Sequence, residues 1–198
     1  MRVMLLIFAV SGMLMGQAAG AAQERTAVIT PGVGISPVRL GMTFAQTRAL
    51  LGRHPILSQS KRIGFGKRYV EYQWRDGAFV VGLVGRPGRE RVARVGTTLR
   101  GERTREGVGP GSTMTEVRSR LAARGVRCES LQLGYSYELL PAMLARCTLR
   151  SPRVSTVFDG TPTCLVPSNR YQGCPEGKLR VVVLDVVVQN RSLAQYDV

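Results

Sequence analysis

Apolar and polar residues alternate over Arg68–Trp74, with Val70, Tyr72 and Trp74 on one side and Tyr69, Glu71 and Gln73 on the other. A period of two predicts a half-buried strand. Arg75-Asp76-Gly77 then predicts a turn into a second strand over 78–84, and Gly85–Arg89 predicts another turn into a third strand over 91–99, its arginines facing solvent. Trp74 is in phase with Val70 and Tyr72 and reads as a core residue. Ahead of this meander the period changes. Phe44, Thr47 or Arg48, and Leu51 form a helical stripe, with Thr43 as N-cap and Gly52 as stop.

A second stripe, Met114, Val117 and Leu121, follows Thr113 and Glu116, a capping-box pair, and ends at Gly125. Both helices are too short to stand alone in water, so each must pack on a sheet. Further on, 138–145 reads as a short helix with Pro141 in its first turn, and 146–149 as a strand. A strand over 155–158 is expected to end at Asp159-Gly160. Leu179–Val188 is the strongest strand signal, and its two apolar faces suit a central position.

The two helix entries are copies of one motif. With Gly41 set on Gly111, Thr43 meets Thr113, Phe44 meets Met114, Arg48 meets Arg118 and Leu51 meets Leu121. Such self-similarity predicts two related units. The expected fold class is α+β, two tandem units each made of a short helix packed on an antiparallel β-meander. The organisation reads as a signal peptide over 1–22, a first unit over 34–99, a connector over 100–107, a second unit over 108–190 and a tail over 191–198. Phe44 and Met114 are expected to do the same core-facing job.

The first residues change the picture of where the chain works. One arginine, a short apolar run from Val3 to Met15 and the small-residue stretch Ala18–Ala22 read as a cleavable secretory signal. The apolar run is shorter than the roughly 20 residues of a membrane span, so no transmembrane segment is expected in the mature chain. Cysteines agree with export. An even set, Cys128, Cys147, Cys164 and Cys174, sits in the second half and favours disulfides. The turn-rich stretch between Cys164 and Cys174 favours that pair together with Cys128–Cys147 over the interleaved alternatives.

Charge adds a second constraint: 28 Lys and Arg against 13 Asp and Glu leave a formal net charge of +15. The basic residues are scattered, without a block of five, and a solvated basic surface is the ordinary account of such a pattern. Arg86, Arg89, Arg91 and Arg94 are the candidate interaction residues, set against a plainer role as a charged hairpin that blunts a sheet edge.

Signals for catalysis are weak. His54, the single histidine, follows a helix stop and precedes Pro55, and no serine elbow accompanies it. Glu71, Asp76, Asp159 and Asp185 show no spacing that selects a carboxylate pair. Gly107–Ser112 enters a helix but lacks the Lys-Ser/Thr of a phosphate-binding loop. No Cys-x-x-Cys pair supports zinc. The expectation is no enzyme, no cofactor and no metal.

The motif Val-x-x-Gly-Met/Ser-Thr-x-x-x-x-Arg-x-x-Leu, carried twice by Gly41-Met42-Thr43 with Leu51 and by Gly111-Ser112-Thr113 with Leu121, resembles the beta-lactamase-inhibitor-protein-like fold. Singly it resembles the unit of small outer-membrane assembly lipoproteins. The resemblance implies tandem units whose sheets lie side by side as a curved surface that binds another protein, and a disulfide near a helix that would match Cys128–Cys147. The chain departs from it in lacking cysteines in the first unit and a lipid-bearing cysteine, and in being strongly basic. Inhibition of a beta-lactamase is therefore not carried over. The expected function is a secreted or periplasmic non-catalytic protein-binding module. The alternatives are a basic envelope factor binding anionic polymers or lipid head groups and, further off, a small hydrolase. Nucleic acid is not the expected partner.

Overall fold

Local chemistry sets both helix entries. The computed structural model describes residues 28–133, 142–164 and 179–196, and the expected signal peptide over 1–22 lies outside the described residues. Helix α1 runs Phe44–Leu51 and α2 runs Met114–Arg120. Thr43 Oγ1 accepts from the Gln46 N–H at 3.1 Å, and the Gln46 side chain accepts from the Thr43 N–H at 2.9 Å. Thr113 and Glu116 repeat the exchange at 3.2 and 2.8 Å. Each box satisfies two backbone donors around the start of a helix.

The repeated glycine has its own physical cause. Gly41 and Gly111 sit at φ +87° and +88°, a left-handed conformation that favours a residue without Cβ. That bend lets the Gly41 N–H donate to the Val92 carbonyl at 2.7 Å while Val92 N–H donates to Met42 at 2.8 Å. Gly111, Val183 and Ser112 make the same two bonds, both at 2.7 Å. The motif therefore pins each helix entry to a strand.

Three short strands, β1 (Ile29–Thr30), β2 (Gly34–Ile35) and β3 (Val38–Arg39), form a small sheet. After α1 come β4 (Ile56–Gly64), β5 (Lys67–Trp74), β6 (Phe79–Gly85) and β7 (Arg91–Thr97). After α2 come β8 (Arg127–Leu133), β9 (Ala142–Arg150), β10 (Val154–Cys164) and β11 (Leu179–Asn190). They join in the order β4-β5-β6-β7-β11-β10-β9-β8, antiparallel throughout. The two runs meet where Val186 opposes Thr97 and Val188 opposes Val95. This places β11 centrally, as its two apolar faces require.

The α+β expectation of two tandem helix-plus-meander units is thereby corrected. The fold is mostly β, with 52% of the described residues in strands and 16% helical, and both runs belong to one eight-stranded sheet. Besides the unannounced β4, two local readings shifted the balance. Ala142–Ala145, expected at the end of a helix, opens β9, because pairing with β8 and β10 outweighs its helix propensity. Asp159-Gly160, expected to end a strand, instead runs on inside β10, opposite a bulge that leaves Leu184 of β11 unpaired in the ladder. The rest of the expected helix, 138–141, lies outside the described residues.

One sheet face carries the main core. Trp74, Phe79, Val81, Leu83, Val95, Phe158, Val186 and Val188 are buried there with Val117 of α2 and its C-cap Leu121. Trp74 also donates its indole N–H to the Gly52 carbonyl at 3.3 Å, tying the sheet to the end of α1. Phe44 and Met114 are half-buried against this core rather than enclosed by it, and Phe44 stacks on Tyr72 with ring centroids 4.4 Å apart. On the other face a small cluster of Tyr69, Ala93 and Leu193 is covered by a 3-10 turn over Arg191–Tyr196. Cys128 and Cys147 oppose each other on β8 and β9 and are joined by a disulfide. The expected Cys164–Cys174 pair falls outside the described residues, which do not include Cys174.

Candidate functional site

Antiparallel order sends alternate turns of a meander to the same end of its sheet. The β4–β5 turn, the β6–β7 turn, the β9–β10 turn and the end of β11 accordingly share one end, as the pairings Arg68↔Gly85, Gln189↔Arg94, Val154↔Asn190 and Ser155↔Arg150 require. The first turn brings exposed Arg62 and Lys67, and the second brings exposed Arg86, Arg89 and Arg91. Arg150, Arg153 and Arg191 are exposed on the other half of the same end. Among the described residues of these turns Glu90 is the single acid. Burial opposes its charge, but backbone N–H groups and the Arg68 guanidinium outweigh that and hold its carboxyl below the usual range. Three of the four candidate arginines are thus gathered here, on a rim where positive charge is almost unopposed.

Arg94 goes elsewhere. It lies on the face opposite the main core, where it pairs with Glu71 at 3.2 Å, and Glu71 also accepts from the Tyr69 hydroxyl. Tyr69 is fully buried, and burial first, then the Glu71 carboxylate, pushes its hydroxyl pKa up. The ring crosses Gly82 of β6 so closely that a Cβ there would sit 2.5 to 2.9 Å from it. On the same face Asp159 opposes Asp185 in register and takes both hydrogen bonds of Arg146, at 2.6 and 3.0 Å. Burial, then the neighbouring Asp159, pushes Asp185 up to about 6 against the pull of Arg94 and Arg146. These groups form a row of paired charge across the sheet.

The β4–β5 hairpin escaped sequence reasoning. Its tip, Gly64-Phe65-Gly66, carries Phe65 at 92% exposure. A Gly-x-Gly between the basic pairs Lys61-Arg62 and Lys67-Arg68 was the available signal. His54 is exposed on the segment between α1 and β4. No group of three or more His, Cys, Asp or Glu side chains suited to a metal occurs among the described residues, and none of their helices is long and apolar enough to cross a membrane. A shallow depression of about 460 Å³ lies beside Phe44 and Tyr72, with Arg68, Glu90 and Arg91 on its wall. Another of about 290 Å³ is walled by Arg146, Arg150, Arg191 and Glu129. No protein-family model, no curated protein and no solved structure matches the chain.

Proposed function

We propose that this is an exported, non-catalytic binding module of the cell envelope, whose basic sheet end takes surfaces rich in phosphate or carboxylate groups. The observation that carries the reading is the convergence of Arg62, Lys67, Arg86, Arg89, Arg150 and Arg191 on one end of the sheet, where Glu90, paired with Arg68, is the single acid among the described residues of the turns. A Lys or Arg held near an anionic surface contributes about 1 kcal/mol, so a rim of this kind binds by summation rather than through one pocket. Export rests on the N-terminal apolar run, and the Cys128–Cys147 bond is compatible with it.

Binding to phosphatidylglycerol vesicles and to polyphosphate, measured between 50 and 300 mM salt (roughly 14 to 6 Å of screening length), tests the proposal. Affinity for both should fall steeply with salt. Salt-independent binding, or none, would remove it.

A protein partner is the second reading. It is favoured by the charge row of Glu71, Arg94, Asp185, Asp159 and Arg146 on the sheet face away from the helices, which offers specific electrostatic complementarity. The kinship proposed with the beta-lactamase-inhibitor-like fold is supported by two capped helices that are each followed by four strands.

A further inference from the structure

The β4–β5 tip combines three features. First, Phe65 and Gly66 are the two central residues of the turn, at φ +50° and +67°. A two-residue hairpin turn with both central residues left-handed selects Asn, Asp or Gly, and an aromatic residue there is strained. Second, the described residues leave the ring open to solvent, with Phe65 92% exposed. Strain retained at an exposed ring points to a use outside the fold. Third, the tip belongs to the basic end, flanked by Arg62 and Lys67, and the sequence holds no acidic residue from Arg53 to Val70.

From this geometry we infer that the hairpin tip docks on an anionic lipid bilayer, with Phe65 entering the head-group boundary while the surrounding cations engage lipid phosphates. An apolar side chain amid cations is the arrangement that an anionic interface accepts, because the ring leaves water as the charges remain in it. A soluble polyanion satisfies the cations but offers the ring nothing. Charge complementarity thus names an anionic surface, and the exposed ring selects the bilayer among such surfaces. The inference rests on the proposed basic-end function and adds the bilayer as its target.

Phe65→Asn and Phe65→Trp test it, using unilamellar vesicles of phosphatidylglycerol and phosphatidylcholine and, in parallel, polyphosphate. Phe65→Asn creates an Asn-Gly pair, the favoured occupant of this turn, so the hairpin keeps its shape. Its vesicle affinity should drop roughly tenfold, with polyphosphate affinity unchanged. In Phe65→Trp the new indole should shift its emission to the blue on vesicles and be quenched by bromine-labelled lipid, against a background from the buried Trp74. Vesicle binding by Phe65→Asn at wild-type strength, or an indole emission that vesicles leave unmoved, overturns the inference. Retained, salt-sensitive polyphosphate binding would then leave the basic-end reading standing. Failure of both probes to bind would remove the two together.

Discussion

Asp185→Asn should stabilise the protein at neutral pH and do nothing in acid. Asp185 faces Asp159 directly across β10 and β11, and burial together with that carboxylate pushes it up to about 6 from the ordinary 3.8. A carboxyl whose folded pKa lies above its unfolded value binds its proton more tightly when folded, so stability falls as pH climbs from about 4 to about 6 and then levels off. The full interval corresponds to a ceiling of about 3 kcal/mol. Because Asp185 keeps part of its surface in water, about 1–2 kcal/mol is the expected gain once screening is included. Asn keeps the shape and removes the charge. Urea melts of both proteins at half-unit steps from pH 4 to pH 8 measure the difference directly. It should be near zero at pH 4, grow between pH 4 and 6, and hold constant above. A variant no more stable than wild type at pH 7.5, or a gain independent of pH, would refute the raised pKa assigned to Asp185.

Thr43→Ala and Thr113→Ala should each cost about 1 kcal/mol in denaturant melts, since each removes one side of a capping box. Gly82→Ala should cost about 1–3 kcal/mol by the same assay, because the added Cβ displaces the buried Tyr69 ring. Reducing Cys128–Cys147, which spans a sequence separation of 19, should lower stability by about 3 kcal/mol through the freed loop, read as a shift in melting midpoint.

What the sequence disclosed was local. Thr113 with Glu116, Gly52 after α1 and the turn at Arg75-Asp76-Gly77 depend on neighbours in the chain, and each occupies the structural position its pattern names. The strand β4 left no trace, because an edge strand exposed along most of its length shows no alternation and exists through its ladder to β5. Ala142–Ala145 misled for the opposite reason: its composition suits a helix, and only partners distant in sequence make it a strand. The fold class failed at the same step, since the strand content that makes the fold mostly β comes in part from β4 and the start of β9, which depend on partners elsewhere in the sheet.

The basic end was hidden by the same non-locality. Its residues sit near positions 62, 67, 86–91, 150–153 and 191, and they read as scattered until a meander folds them to one side. Arg94, two residues beyond Val92 yet on another surface, shows the reverse. A bulge at Ala93, opposite the Gly82–Leu83 step of β6, sets the register in which Arg94 opposes Gly82 and reaches Glu71.

The proposed binding depends on position on the sheet rather than on total charge. Two double variants equal in charge separate these: Arg86→Gln with Arg89→Gln at the basic end, and Arg100→Gln with Arg180→Gln, all four exposed, beyond β7 and near the start of β11 at the opposite end. Co-sedimentation with phosphatidylglycerol vesicles at 100 mM salt, a screening length of about 10 Å, is the measurement. The expected result is a loss of roughly tenfold or more for the Arg86/Arg89 pair and little change for the Arg100/Arg180 pair. Equal losses from the two variants would contradict it.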